Sequence, residues 1–147
     1  MSEINQSKSV SRGEVGEYLT LAELNLNQIL SHKVDKAPYD IIIDANNSLI
    51  KVQVKVGHLP KNWRTKKTYS DRVRFRTYKG SGTKLRYNEN EVDLFAFVDI
   101  DSNSIAWLHF NETYKTGLVI KKDNFCDYNI DRILSLYFSN KRRKNVK

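Results

Sequence analysis

Asp40, Gln53 and Lys55 fall at the edges and middle of two short apolar segments separated by Asn46-Asn47. Residues 41–43 and 49–56 are rich in β-branched side chains and read as strands. Asn tolerates positive φ, so Asn46-Asn47 suits a two-residue hairpin turn. Such a turn sets Ala45 opposite Ser48 and carries Asp40 round to face Gln53. Cross-strand partners hold their Cβ atoms about 4.5–5.5 Å apart. Side chains alternate along a strand, so Lys51, Gln53 and Lys55 share one face while Ile50, Val52, Val54 and Val56 fill the other. The polar face therefore gathers a carboxylate, a carboxamide and two amines. Oxygen ligands of this kind suit a hard divalent cation, Mg2+ or Mn2+. Held by Asp40 and Gln53, it would polarise a phosphate and acidify a water. Lys55 would orient that water and offset negative charge in the transition state. The constellation fits phosphodiester hydrolysis. The same alternation also describes a strand with one solvated and one packed face, a common design, and pattern alone leaves both readings open.

The surrounding elements must position those groups. From Gly13, Val15, Tyr18, Leu19, Ala22, Leu26 and Ile29 recur at three- and four-residue steps, which predicts an amphipathic helix with that stripe inward. Pro38 ends any helical tendency and opens an extended segment. Residues 73–78 alternate apolar with basic, as in a half-exposed strand. Residues 92–100 are strongly apolar and read as a buried strand, and 105–110 as a further one. Ile130, Ile133, Leu134 and Tyr137 mark a short C-terminal helix. Residues 57–69, with Pro60, Trp63 and Lys66-Lys67, resist assignment, and long irregular stretches in small domains are often functional. The expected organisation is a flexible lead-in at residues 1–12, one folded domain over 13–140 and a basic tail at 141–147.

The chain has 147 residues, enough for one modest core. No apolar run approaches the roughly 18 residues needed to span a membrane, and the N-terminus lacks the apolar stretch of a secretory signal, so a cytoplasmic, non-membrane protein is expected. Cys126 is the sole cysteine, which excludes an intrachain disulfide and a cysteine cluster for zinc. His32, His58 and His109 form no metal-ligand pattern and are read as ordinary structural or surface residues. Charge is more telling. The net charge is +8, and between Lys51 and Arg86 there are twelve Lys or Arg against a single acid, Asp71. A polyanionic partner is the economical reading. Arg72, Arg74 and Arg76 alternate, so one strand face projects three guanidiniums, a shape that can enter a major groove and fork onto guanine edges. With Arg64, Lys66, Lys67, Lys79, Lys84 and Arg86 they form the candidate DNA-binding set, some reading bases and others gripping phosphates.

The blocks Gly13-Glu14-Val15-Gly16-Glu17, Tyr39-Asp40 and Val52-Gln53-Val54-Lys55 together resemble the PD-(D/E)XK nuclease superfamily. Within it the likeness is nearest to the small cyanobacterial-type group I intron-encoded homing endonucleases. It runs from about Gly13 to Phe110, with Glu91-Val92-Asp93-Leu94-Phe95-Ala96 fitting a later strand. The resemblance implies an α/β fold: a restriction-endonuclease-like core with a mixed central sheet of about five strands flanked by helices, and here a basic ribbon or loop insertion. It implies that Asp40 is the metal-binding aspartate, that Lys55 is the catalytic lysine and that the Val54 carbonyl joins the metal's shell. Glu17 matches the helix glutamate that binds the metal, with Glu14 a second candidate. Gln53 stands where most relatives carry Asp or Glu, a variant accepted in the homing branch. The activity implied is site-specific, Mg2+-dependent cleavage of double-stranded DNA. A domain this small covers only roughly 600–1,000 Å2 of DNA, so a long site calls for a symmetric dimer or tetramer. A Holliday junction resolvase and an inactive DNA-binding module on the same core are the competing readings. Gln53 favours the last, and Lys55 with Glu17 oppose it.

Overall fold

The computed structural model describes residues 8–79, 85–113 and 117–145. Its centre is the hairpin of β2 (Ile41–Ala45) and β3 (Ser48–Val56), joined by Asn46 and Asn47 at φ 50° and 61°. Two consecutive positive φ values give the turn whose twist matches the strands it connects. The ladder runs from Ala45↔Ser48 to Ile41↔Val52, the register the turn predicts. β1 (Leu30–Lys33) adds to the outer edge of β2, and β7 (Leu94–Asp99) lies parallel to β3, followed by antiparallel β8 (Ser104–His109). The five-stranded mixed sheet has the order β1-β2-β3-β7-β8. Among the described residues no helix is long and apolar enough to cross a membrane.

Helices α1 (Lys8–Leu26) and α2 (Ile130–Asn145) cover one face. Both outrun their expected bounds: α1 starts before Gly13 and α2 continues beyond Asn140. The predicted inward stripe of α1 is only partly right: Leu19 and Ile29 pack against the core, but the rest of it faces outward. Tyr18 and Leu26 are 59% and 85% exposed, whereas Gly16, Thr20 and Leu24 are buried. The cause is spacing between layers. A Cβ on Gly16 would lie 2.4 Å from Val56 Cγ2, so the helix rests on β3 through its smallest residues. Thr20 satisfies its buried hydroxyl by donating to the Gly16 carbonyl at 2.8 Å. Leu24 anchors the far end, where truncation to Ala would cost about 2–5 kcal/mol. Trp107 of β8 is fully buried beneath this layer, its indole N–H donating to the Glu23 carboxylate at 2.7 Å.

On the opposite face lies a second cluster of Val73, Phe75, Phe95, Phe97 and Phe125. It is capped by β4 (Arg72–Arg76), which pairs with β9 (Gly117–Lys121), and by a 3-10 segment over Lys122–Tyr128. β5 (Tyr78–Lys79) and β6 (Leu85–Arg86) form a small adjoining pair. Gly57, where β3 hands over to this layer, is another enforced glycine: a Cβ would meet Val73 Cγ1 at 2.3 Å. Residues 60–69 make a compact hairpin, closed by Tyr69 N–H on the Pro60 carbonyl and Asn62 N–H on the Lys67 carbonyl, each at 2.8 Å.

Candidate active site

Asp40 sits one residue outside the regular β2–β3 ladder. Its N–H donates to the Val52 carbonyl at 2.8 Å, and its carboxylate accepts the Val54 N–H at 2.9 Å. The side chain is thereby pinned to the middle of β3. Gln53 is buried between neighbours, its amide nitrogen making a long contact of 3.5 Å to the Val54 carbonyl. Asp40 and Gln53 thus both attach to Val54, one through its N–H and the other through its oxygen. Close seating of α1 at Gly16 brings the next residue, Glu17, into hydrogen-bond contact with Asp40. Lys33 of β1 holds the other side of Glu17 at 3.4 Å. Glu14 is exposed, and Asp44 is exposed beside the hairpin turn. Of the two helix glutamates, Glu17 is the one at the corner.

Burial and the neighbouring Asp40 carboxylate raise Glu17 above the usual carboxylate range. Burial likewise raises Asp40, against the opposing pull of the Val54 N–H and Lys55. Two desolvated carboxylates in contact favour a shared proton, which is also what a cation between them would displace. Among the described residues no three Asp, Glu, His or Cys side chains cluster. The remaining donors here would be neutral oxygens, the Gln53 carboxamide and the Val54 carbonyl. An all-oxygen set with two carboxylates fits a hard divalent cation.

Lys55 emerges two residues along β3. Burial depresses its pKa, with Asp40 opposing and Arg76 adding to the shift. Its Nζ donates to the Tyr78 carbonyl at 2.9 Å and lies 5.0 Å from the centre of the Tyr87 ring. Tyr87 is itself buried beside the corner, its hydroxyl pushed up to about 12 by desolvation and by Asp40 and Glu91. A cleft of about 370 Å3 opens next to Lys55, lined also by Arg12, His58 and Arg76. A phosphate entering it would meet cations on several sides. A larger cleft of about 540 Å3, lined in part by Asp93, His109, Tyr137 and Lys144, includes none of the corner residues among its walls. Its size carries no catalytic meaning, because the convergent, desolvated charges lie elsewhere.

The predicted DNA-binding residues divide. Arg74 and Arg76 are exposed on the outer face of β4, opposite buried Val73 and Phe75. Arg64, Lys66 and Lys67 cluster at the tip of the 60–69 hairpin. Arg72 is held by Asp71 at 3.0 Å and stacks over Tyr69. Lys79 is paired with Glu91 at 2.6 Å, and Arg86 donates to the Thr113 carbonyl at 2.9 Å. Those two bind the fold together. Lys84 lies outside the described residues. Arg12, Lys33, His58 and Tyr87 are neighbours of the site that sequence reasoning missed. Only tertiary packing assembles them, and no local pattern marks them.

A family model described as PD-(D/E)XK endonuclease matches residues 8–127. A solved structure of a bacterial homing endonuclease, I-Ssp6803I, superposes with a TM-score of 0.66 at 17% identity, over 93% of this chain and 99% of that one. No curated protein sequence matches.

Proposed function

The chain belongs to the PD-(D/E)XK endonuclease family, and from that premise we propose that it is a divalent-metal-dependent, site-specific nuclease of double-stranded DNA, of the homing type. The observation that carries this reading is the meeting of Asp40 and Glu17 beside Val54, with the half-buried amine of Lys55 opening onto a basic cleft. Asp40, Glu17, Gln53 and the Val54 carbonyl would hold the cation. When bound, Mg2+ or Mn2+ supplies a counter-charge for the scissile phosphate and acidity for a water.

The chain's own residues do the rest. Arg12, Arg76 and His58 line the cleft in which a phosphate backbone would settle, and Lys55 stands at its wall. Protonated, Lys55 offsets the charge that grows on the phosphate, and its N–H groups orient the attacking water. The contact with the Tyr78 carbonyl and the flank of Tyr87 fix the amine's direction, so little reorganisation is left for the reaction. Arg74 on β4 is offered to base edges, while Lys66 and Lys67 reach phosphates. A symmetric dimer or tetramer would extend the site read.

A randomised duplex library incubated with Mg2+ should be cut at a restricted set of sequences, with no cutting in chelator. Cutting that persists in chelator, or that Lys55→Ala leaves unchanged, would remove the mechanism. Asp40→Asn should bind duplex at near wild-type affinity and fail to cut.

A further inference from the structure

The chain has two tryptophans in opposite circumstances. Trp107 is fully buried with its N–H bonded to Glu23, as a core indole should be. Trp63 is 76% exposed. It does not sit on a slack loop. It lies at the tip of the 60–69 hairpin, where Asn62 Oδ1 accepts the N–H groups of Arg64 at 2.9 Å and Thr65 at 3.2 Å, and Asn62 O accepts Lys66 N–H at 2.9 Å. Lys66 takes up φ 61° to close the turn. The Arg64 guanidinium lies over the Trp63 ring, 4.8 Å from its centre, so a cation accompanies the exposed indole. Lys61, Lys66 and Lys67 belong to the same hairpin, and no acid occurs between Lys51 and Asp71.

An ordered hairpin that holds an indole in water gains little for its own fold, and an exposed aromatic among basic residues is the make-up of a base-stacking platform. The cations of this hairpin select a polyanion, and an exposed π-face selects one with bases.

We propose that Trp63 is a base-stacking wedge, its indole laid against a base at a duplex step unstacked by bending, with Arg64, Lys66 and Lys67 pinning the flanking phosphates. The proposal rests on the reading of the chain as a DNA nuclease and adds a deformation step to it. Trp63 is eight residues beyond Lys55, so it lies at most about 29 Å from that lysine even along an extended chain. At 3.4 Å per base pair, the unstacked step falls within about eight steps of the cut. Flexible steps such as TA and CA/TG should be preferred there.

Both indoles emit, but Trp107 is shielded from any bound base, so a change in tryptophan emission on binding reports on Trp63. The full chain is titrated in chelator with duplexes of randomised sequence about 30 base pairs long, roughly three helical turns, and in parallel with heparin, a polyanion without bases. Binding is followed independently by anisotropy of a dye on the duplex. Stacking predicts quenching of the exposed emission by duplex, with little quenching by heparin. Trp63→Phe removes the responding signal. Trp63→Ala weakens duplex binding about tenfold, the size of one lost base–aromatic stack, and heparin binding hardly at all. Duplex that binds without quenching, or heparin that quenches equally, overturns the wedge and leaves the nuclease reading standing. Absence of any duplex binding overturns both.

Discussion

The proposed catalytic corner and the basic ribbon both carry charge, yet they handle it in opposite ways. At the corner, Glu17, Asp40 and Lys55 are partly withdrawn from water, and burial is the leading cause of every shift in their proton affinity. On the ribbon, Arg74, Arg76, Lys66 and Lys67 stand in solvent. Buried charge is costly to keep and strong in effect, which suits groups that act on one bond. Exposed charge is cheap and screened, which suits a grip that forms, slides and releases. The proposed division between chemistry and holding matches the dielectric around each set.

Three changes would break the corner and spare the ribbon. Lys55→Ala should lower the cutting rate about 10²–10³-fold, with duplex affinity within a few-fold of wild type. Single-turnover cleavage beside a binding titration checks it. Loss of both together would mean Lys55 serves mainly to hold DNA. Next, Gly16→Val should push α1 off β3, costing about 1–3 kcal/mol in denaturant melts and slowing cutting as Glu17 leaves Asp40. Gly13→Ala is the contrast, since no atom lies within 4 Å of its added Cβ. It should stabilise by about 0.5–1 kcal/mol and leave the rate alone.

Protons give the third. Raised carboxylate pKa values in the metal-free fold mean that the folded state binds protons more tightly than the unfolded chain. That contribution is full below the ordinary carboxylate range and is lost as pH rises through the elevated values. Asp40→Asn should therefore raise the melting temperature of the metal-free protein near neutral pH, by about 2–4 °C per kcal/mol relieved in a domain of this size. The advantage should vanish in acid. A variant no more stable at neutral pH would deny the crowding of the two carboxylates.

The smallest effect falls on the ribbon. Arg74→Ala should cost about 1–3 kcal/mol at particular base pairs, read from cleavage of single-substituted sites. A uniform loss across all sites would reassign Arg74 to a phosphate.

The hairpin was legible because everything that defines it is local: alternation, β-branching and two asparagines that accept positive φ. Asp40 and Lys55 came with it. The five-stranded mixed sheet agreed with the family resemblance. What was hidden depended on contacts distant in sequence. β1 is short and largely exposed, so Leu30–Lys33 carries no strand pattern, and β9 (Gly117–Lys121), a short apolar run, finds its partner in the distant β4. The face of α1 was misread because Gly16 and Thr20 count as weakly apolar or polar, while their value lies in being small. Composition also could not show that Lys79 and Arg86, read as DNA contacts, have partners within the fold in Glu91 and the Thr113 carbonyl.

If Asp40 and Glu17 share a cation with the neutral oxygens of Gln53 and Val54, electron paramagnetic resonance of Mn2+ titrated into the protein with uncut duplex present will reveal it. The wild-type protein should show a saturable Mn2+ site that Asp40→Asn abolishes and Glu17→Gln weakens. Equal Mn2+ uptake by wild type and Asp40→Asn, with the duplex bound in both, would contradict it.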